Sequence, residues 1–354
     1  MRVLVVGCGT MGASHARAYQ RIEGFEIAGL VSRKPESREA LNHALGGGLA
    51  LFDRYENALS ATRPDVVSIN TYPDTHAGYA IRAMNAGAHV FLEKPIAVTL
   101  AGAQAVCRTA RENGRKLVIG YILRQHPSWI RFIELARTLG KPLVMRMNLN
   151  QQSAGATWET HKMLMQSASP LVDCGVHYVD VMCQMTGARP LRVSAMGARL
   201  SDELAPGMYN YGQLQVVFED GSVGWYEAGW GPMMSETAYF VKDVVGPLGC
   251  ASITGPGDGP QSKSDAVSHH TQTTGLRLHH AALDSSGHFE QPDELIDLHD
   301  EPDHDGLCER EQRFLLRAIR EDLDLNQHLD DAVNSLRIVL AADESVRTGR
   351  VVEL

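Results

Sequence analysis

No apolar run in this 354-residue chain approaches membrane-spanning length, so a transmembrane protein is not expected. The first apolar stretch is also too short for the core of a signal peptide, and it runs directly into a glycine turn, which marks it as a strand. Cysteine pairs at ligand spacing are missing. The six thiols, at 8, 107, 174, 183, 250 and 308, contain no C-x-x-C, which leaves neither a zinc knuckle nor a disulfide framework and suits reduced thiols in a cytoplasmic protein. Basic excess is missing too: a net charge of -9 argues against nucleic acid or an anionic membrane as the main partner, and leaves a small neutral ligand open. There is no internal repeat and no low-complexity tail. What remains is the composition of a folded protein, 44% hydrophobic and 21% charged, at a length that fits two domains.

The chain opens on V-L-V-V-G-C-G-T-M-G, four apolar residues followed by Gly7, Gly9 and Gly12, with Thr10 and Met11 between the last two. A strand, a glycine turn and a helix-forming run from Ala13 in that order supply the context that G-x-G-x-x-G needs to mark a dinucleotide site. Gly7 serves the tight turn, Gly9 lets the backbone approach a pyrophosphate, and Gly12 lets helix and strand pack closely. The start of the helix then offers N–H groups to the phosphates. The second strand, Phe25 to Val31, ends at Ser32-Arg33-Lys34, where an acid would otherwise bond the adenosine ribose. A hydroxyl and two cations suit a 2′-phosphate, which tilts the expected NAD(P) cofactor toward NADP.

Further strands at 49–52, 65–70, 89–92 and 116–121 alternate with helices at 54–61, from a cap at Thr75 to Gly87, and from a cap at Thr99 to Asn113. That rhythm predicts a doubly wound parallel sheet over residues 1–122. Beyond it come a helix from Pro127 to Leu139, then alternating segments at 143–151, 191–200, 213–218 and 223–228, the last two joined by the hairpin signal Asp220-Gly221. A helix spans Leu171 to Met185, a polar loop 255–275, two helices 307–321 and 329–348, and a last extended piece 351–354. Residues 123–354 therefore read as an α+β domain with a large, mostly antiparallel sheet, and a sheet face without helices is expected to pair with a second copy.

Lys94 follows the strand 89–92 at the sheet edge where ligands bind in such folds, and Pro95 after it suits an unusual, cis peptide bond. Asp173, His177 and Asp180 stand at i, i+4 and i+7, on one face of a helix beside an apolar stripe of Val172, Val176, Val179 and Cys183. Gly175 inside that helix costs about 1 kcal/mol against Ala, which implies a close approach to the backbone. Transfer of hydride from a carbinol requires a base for the hydroxyl proton and a cation for the developing alkoxide. His177, Lys94 and Asp173, as base, cation and anchor, meet that need. Seven histidines, at 269, 270, 279, 280, 288, 299 and 304, match no metal-ligand spacing.

G-C-G-T-M-G at 7–12, A-G-A-H-V-F-L-E-K-P at 86–95 and D-C-G-V-H-Y-V-D at 173–180 together resemble the glucose-fructose oxidoreductase, inositol dehydrogenase and rhizopine catabolism family (Gfo/Idh/MocA). The resemblance implies a Rossmann domain, a second α/β domain whose open sheet forms a homodimer or homotetramer interface, and catalysis by Lys94, Asp173 and His177. It also implies a nicotinamide pocket shaped by Pro73 and Glu93, with Thr71 and His76 beside it, and Arg124 with the catalytic residues on a carbohydrate or cyclitol substrate. The chain departs from the family at Ser32, where NAD-using members often carry an acid, and at Ser169-Pro170, where many have glycines. Two other functions stay open at this stage: NAD-dependent glycoside hydrolysis on the same fold, and a non-catalytic dinucleotide sensor.

Overall fold

The computed structural model describes residues 1–235, 241–254, 273, 275–298 and 301–354. Two compact units form, one from residues 1–122 and 304–333, the other from residues 123–303 and 334–354. The expected division at 122 and 123 thus needs one change, because 304–333 returns to the first unit.

In the first unit the chain runs β1 (Arg2–Val6), α1 (Thr10–Arg21), β2 (Glu26–Val31), α2 (Pro35–Ala44), β3 (Leu51–Phe52), α3 (Tyr55–Thr62), β4 (Val66–Ile69), α4 (Pro73–Asn85), β5 (His89–Glu93), α5 (Leu100–Glu112) and β6 (Leu117–Gly120). The six strands are parallel in the order β3-β2-β1-β4-β5-β6. Strands β4 and β6 are buried at every position, as a sheet covered on both faces requires. The order reverses between β1 and β4, and a ligand crevice lies outside the carboxyl ends of strands at such a point.

Two local expectations change here. Helix α2 has no counterpart in the sequence reading. Helix α4 starts at Pro73, so Thr75 lies inside the first turn rather than at the cap, and its hydroxyl donates to the carbonyl of Tyr72 at 2.8 Å. Proline takes the first helical position because its missing N–H is one the helix would leave unpaired. Thr99 does cap α5, accepting from Gly102 N–H at 3.1 Å.

A 3-10 turn at Ile122–Gln125 leads from the first unit into the second, which runs α6 (Pro127–Thr138), β7 (Val144–Gln152), α7 (Gly155–Leu164), α8 (Pro170–Asp173), α9 (Gly175–Thr186), β8 (Pro190–Ala198), β9 (Tyr211–Phe218) and β10 (Val223–Gly231). Strands β11 (Lys242–Gly246), β12 (Gly249–Thr254), β13 (Gly275–His280) and β14 (Glu294–Asp297) follow. Helix α10 (His304–Arg320) belongs to the first unit, α11 (Asn326–Thr348) carries residues of both, and β15 (Val352–Glu353) completes the second. Among the described residues nine strands order as β14-β13-β12-β11-β7-β10-β9-β8-β15. All pairings are antiparallel except β7 with β10. The Asp220-Gly221 hairpin joins β9 to β10, with Gly221 at φ +80°.

Burial alternates along these strands, so one face is covered and the other is not. The uncovered face carries a row of half-exposed valines, Val217, Val223, Val144 and Val245, paired strand to strand. Beside it runs a polar row with an Arg146–Asp243 ion pair and Trp225. The face is therefore mixed rather than simply apolar. Most of the predicted loop 255–275, and His269, His270 and His299, lie outside the described residues. Among the described residues no helix is long and apolar enough to cross a membrane.

Candidate active site

The glycine turn is built as its residue types demand. Gly7 sits at φ +95°, where an added Cβ would stand 2.3 Å from the carbonyl oxygen of Asn70, and at Gly12 a Cβ would stand 1.8 Å from the carbonyl oxygen of Gly7. Both are fixed by the fold itself. Gly9 differs, since a Cβ there would meet nothing within 4 Å. No protein atom requires glycine at that position, and the space beside its backbone is open. Gly9 is also the N-cap of α1 and gives it no side-chain bond, and no acid lies in the first turn. The N–H groups at the start of the helix, from Thr10 to Gly12, are thus left for an anion. Together these features fit the pyrophosphate of a dinucleotide.

At the end of β2, Ser32 is half-buried while Arg33 and Lys34 are exposed. Arg38, on the unforeseen α2, reaches back and donates to the carbonyl of Ser32 at 2.8 Å. It adds a third cation to the loop. The loop after β4 is tied down by a Thr71–Thr75 hydroxyl contact of 2.6 Å and by His76, whose Nδ1 faces the carbonyl of Pro95 at 2.7 Å and whose Nε2 faces that of Thr71 at 3.0 Å. His76 has no exposed surface, and burial pulls its pKa below 6.5 against the raising effect of the two carbonyls. The neutral ring carries one N–H and donates to one of the two carbonyls, from its place between the loops after β4 and β5. Pro73 is half-buried at the head of α4.

Glu93 ends β5 nearly buried, with Oε1 2.8 Å from His15 Nε2 and Oε2 accepting the Lys94 backbone N–H at 3.2 Å. Lys94 is half-buried, and the Lys94–Pro95 bond is cis.

In the second unit, the helix expected over 171–185 is interrupted at Cys174, between α8 and α9. Ser169 caps α8 by accepting from Val172 N–H at 3.2 Å and donates to Asp343 at 2.6 Å, with Pro170 at the first helical position. Gly175 is the first residue of α9. A Cβ there would stand 2.9 Å from the Tyr226 ring, so the close approach inferred from this glycine is made by the protein's own core. From 171 to 183 every position is buried except Asp173 and His177. Asp173 at the end of α8 and His177 in the first turn of α9 are thus the two half-exposed polar groups of this stretch.

Asp180 does not join them. It is 1% exposed and bound by Arg124, Nε to Oδ2 at 2.8 Å with Nη2 on the other oxygen, and by Gln184 at 2.9 Å. Arg124 is thus committed to a buried carboxylate rather than arranged for a substrate. The sequence reading also missed the surroundings of Cys174. Gln151 accepts from Trp230 Nε1 at 2.6 Å and from the Cys174 thiol at 3.6 Å, and His161 stacks on Trp230 with ring centres 4.5 Å apart. No local sequence signal joins those residues, which come from three separate segments.

A parallel sheet that opens on a glycine turn, in a chain with a second, α+β unit carrying a half-exposed acid and histidine, is the architecture of a two-domain dinucleotide-dependent oxidoreductase. Residues 1–121 match the family described as "Oxidoreductase family, NAD-binding Rossmann fold", and residues 134–241 match its C-terminal domain. The chain belongs to the Gfo/Idh/MocA family. It is 27% identical over 237 residues to the scyllo-inositol 2-dehydrogenase (NAD(+)) of Bacillus subtilis strain 168, across 64% of this chain and 67% of that protein. To the 4-carboxy-2-hydroxymuconate-6-semialdehyde dehydrogenase of a Sphingobium species it is 28% identical over 218 residues, across 59% of this chain and 66% of that one. The chain spans between 53% and 67% of the length of the first four curated relatives it matches. The crystal structure of scyllo-inositol dehydrogenase from Lactobacillus casei has the same fold, with a TM-score of 0.78 at 19% identity over 100% of this chain and 98% of that one.

Proposed function

We propose that the protein is an NAD(P)-dependent dehydrogenase or reductase acting on a secondary hydroxyl or carbonyl of a sugar, sugar derivative or cyclitol. The observation that carries this reading is the partial exposure of Asp173, at the end of α8, and His177, in α9, along a stretch from 171 to 183 that is otherwise buried, in a chain whose family is one of oxidoreductases. Bound nicotinamide supplies the hydride chemistry. The chain's own groups do the rest: an imidazole nitrogen of His177 takes the hydroxyl proton, Lys94 Nζ stabilises the developing alkoxide, and the Asp173 carboxylate anchors a neighbouring hydroxyl. Relatives named for inositol, glucoside and scyllo-inositol oxidation support a polyol substrate.

Ser32, Arg33, Lys34 and Arg38 support a preference for NADP, since three cations favour a 2′-phosphate. The half-exposed valine row supports pairing of two copies through the uncovered sheet face. A screen of sugars and cyclitols with NAD and NADP, read by absorbance of the reduced cofactor, tests the function. Reduction of either cofactor by a polyol is expected. Tight cofactor binding without net reduction, alongside glycoside cleavage, would replace this reading with hydrolysis.

A further inference from the structure

Behind Glu93 a line of buried polar groups crosses the first unit. Tyr19 on α1 donates its hydroxyl to Gln312 Oε1 on α10 at 2.6 Å, and Gln312 Nε2 meets His15 Nδ1 at 2.9 Å. His15 Nε2 meets Glu93 Oε1 at 2.8 Å, and Glu93 Oε2 accepts the Lys94 backbone N–H at 3.2 Å. Tyr19, His15 and Gln312 have no exposed surface. The nitrogen of an amide side chain only donates, so His15 Nδ1 must accept and the ring proton sits on Nε2. Every bond in the line therefore points toward Glu93, and each polarises the next.

The same bonds decide against a second use of this cluster. His15, Cys308 and Glu311 bring one ligand atom each within 4.8 Å of one another, a spacing that a metal ion could use. Both His15 nitrogens are already engaged, one by Gln312 and one by Glu93, so the imidazole offers no lone pair to a metal.

We propose that His15 is a positioning residue for Lys94: held by Gln312 with its proton on Nε2, it orients the Glu93 carboxylate, whose second oxygen fixes the Lys94 backbone. This rests on the reading of Lys94 as a catalytic group given above. The titratable groups facing the His15–Glu93 pair are Tyr19 from α1, His76 from α4, and His304, Cys308 and Glu311 from α10.

Two variants separate orientation from mere filling of space. His15→Leu fills the volume with no polar atom, whereas His15→Gln keeps a donor for Glu93 and an acceptor for Gln312. Turnover is read with whichever of NAD and NADP, and whichever of myo-inositol, scyllo-inositol and methyl α-glucoside, gives the fastest rate in the wild type. His15→Leu should lower kcat by about 10- to 100-fold, the scale of a small misplacement in an active site, with His15→Gln restoring most of it. Equal rates in the two variants overturn the proposal. Lys94→Met is run beside them. A normal rate there removes the catalytic reading and this proposal together, while a slow Lys94→Met with a normal His15→Leu removes this proposal alone. Should His15→Leu not fold, the ¹⁵N shifts of the His15 ring in the full-length wild type decide the point. A protonated Nε2 with a bare Nδ1, lost in Gln312→Met, is the expected pattern, and the reverse tautomer overturns the proposal.

Discussion

Arg124 clasps Asp180 inside the second unit, with Nε 2.8 Å from Oδ2 and the second carboxylate oxygen held by Nη2. The acid is buried, so removing the arginine strands a charge away from water. Arg124→Leu is expected to cost about 3–5 kcal/mol, the range for breaking one partner of a buried pair, visible as a lower urea midpoint. A variant of normal stability with a raised KM would instead show that Arg124 serves the substrate.

Gly9 and Gly12 of the turn should separate in their effects. Gly9→Ala places a methyl in open space, so it should weaken dinucleotide binding while changing stability by about 1 kcal/mol, the scale of an N-cap change. Gly12→Ala collides with the Gly7 carbonyl and should lower the melting temperature sharply. Equal melting losses in the two variants would show that Gly9 is also structural.

Cofactor choice follows from the loop after β2. NADPH should bind more tightly than NADH, and Arg33→Ala and Arg38→Ala should each weaken NADPH selectively. Fluorescence titration of both cofactors measures this. Equal affinities, or tighter NADH, would sink the preference.

If His177 is the base, His177→Ala should lower kcat by roughly 10² to 10⁴ and leave dinucleotide affinity nearly unchanged, because the glycine turn belongs to the other unit. Asp173→Ala should act mainly through KM. A polar helix face without function would instead give stability changes within about 0.5 kcal/mol and normal rates. Steady-state kinetics on both variants distinguishes the two outcomes.

Glu311 gives a pH signature. It is 2% exposed, its Oε1 has no hydrogen-bond partner, and burial with the nearby Glu93 carboxylate holds its pKa well above 4.5. The unfolded chain loses that proton near its ordinary carboxyl value, about 4.3, while the folded protein keeps it. Folding therefore loses stability as pH rises from there toward the folded pKa. Glu311→Gln should raise the melting temperature at pH 7 and change it little at pH 4. A gain of equal size at both values would mean that the carboxyl is not the cause.

Much of the first unit was legible because its strands are short apolar runs closed by glycine, proline or a cap, and Thr99 shows how well such local chemistry reads. Helix α2 was missed for a physical reason: Leu41 is its one fully buried residue, so no apolar stripe announces it. The Asp173–His177 spacing was visible, but not the break at Cys174, which accompanies the packing of Gly175 against Tyr226 from a distant strand. By spacing Asp180 shares one helix face with Asp173 and His177. Nothing local tells it from the other two, since its burial depends on Arg124. The parallel pairing of β7 with β10, and the His15–Gln312 contact, likewise join segments far apart in the chain.

The discontinuity of the first unit has a consequence for its birth on the ribosome. Its apolar core joins Val3, Val5 and Tyr19 to Leu315, Ala318 and Leu325. Synthesis proceeds at about 5–20 residues per second, so the nascent glycine turn and its sheet wait on the order of 10 to 40 s for the residues that close their core. During that interval the face of α1 that will bury Tyr19 is exposed to any chaperone within reach, and a fragment ending at residue 122 would be left permanently in that state.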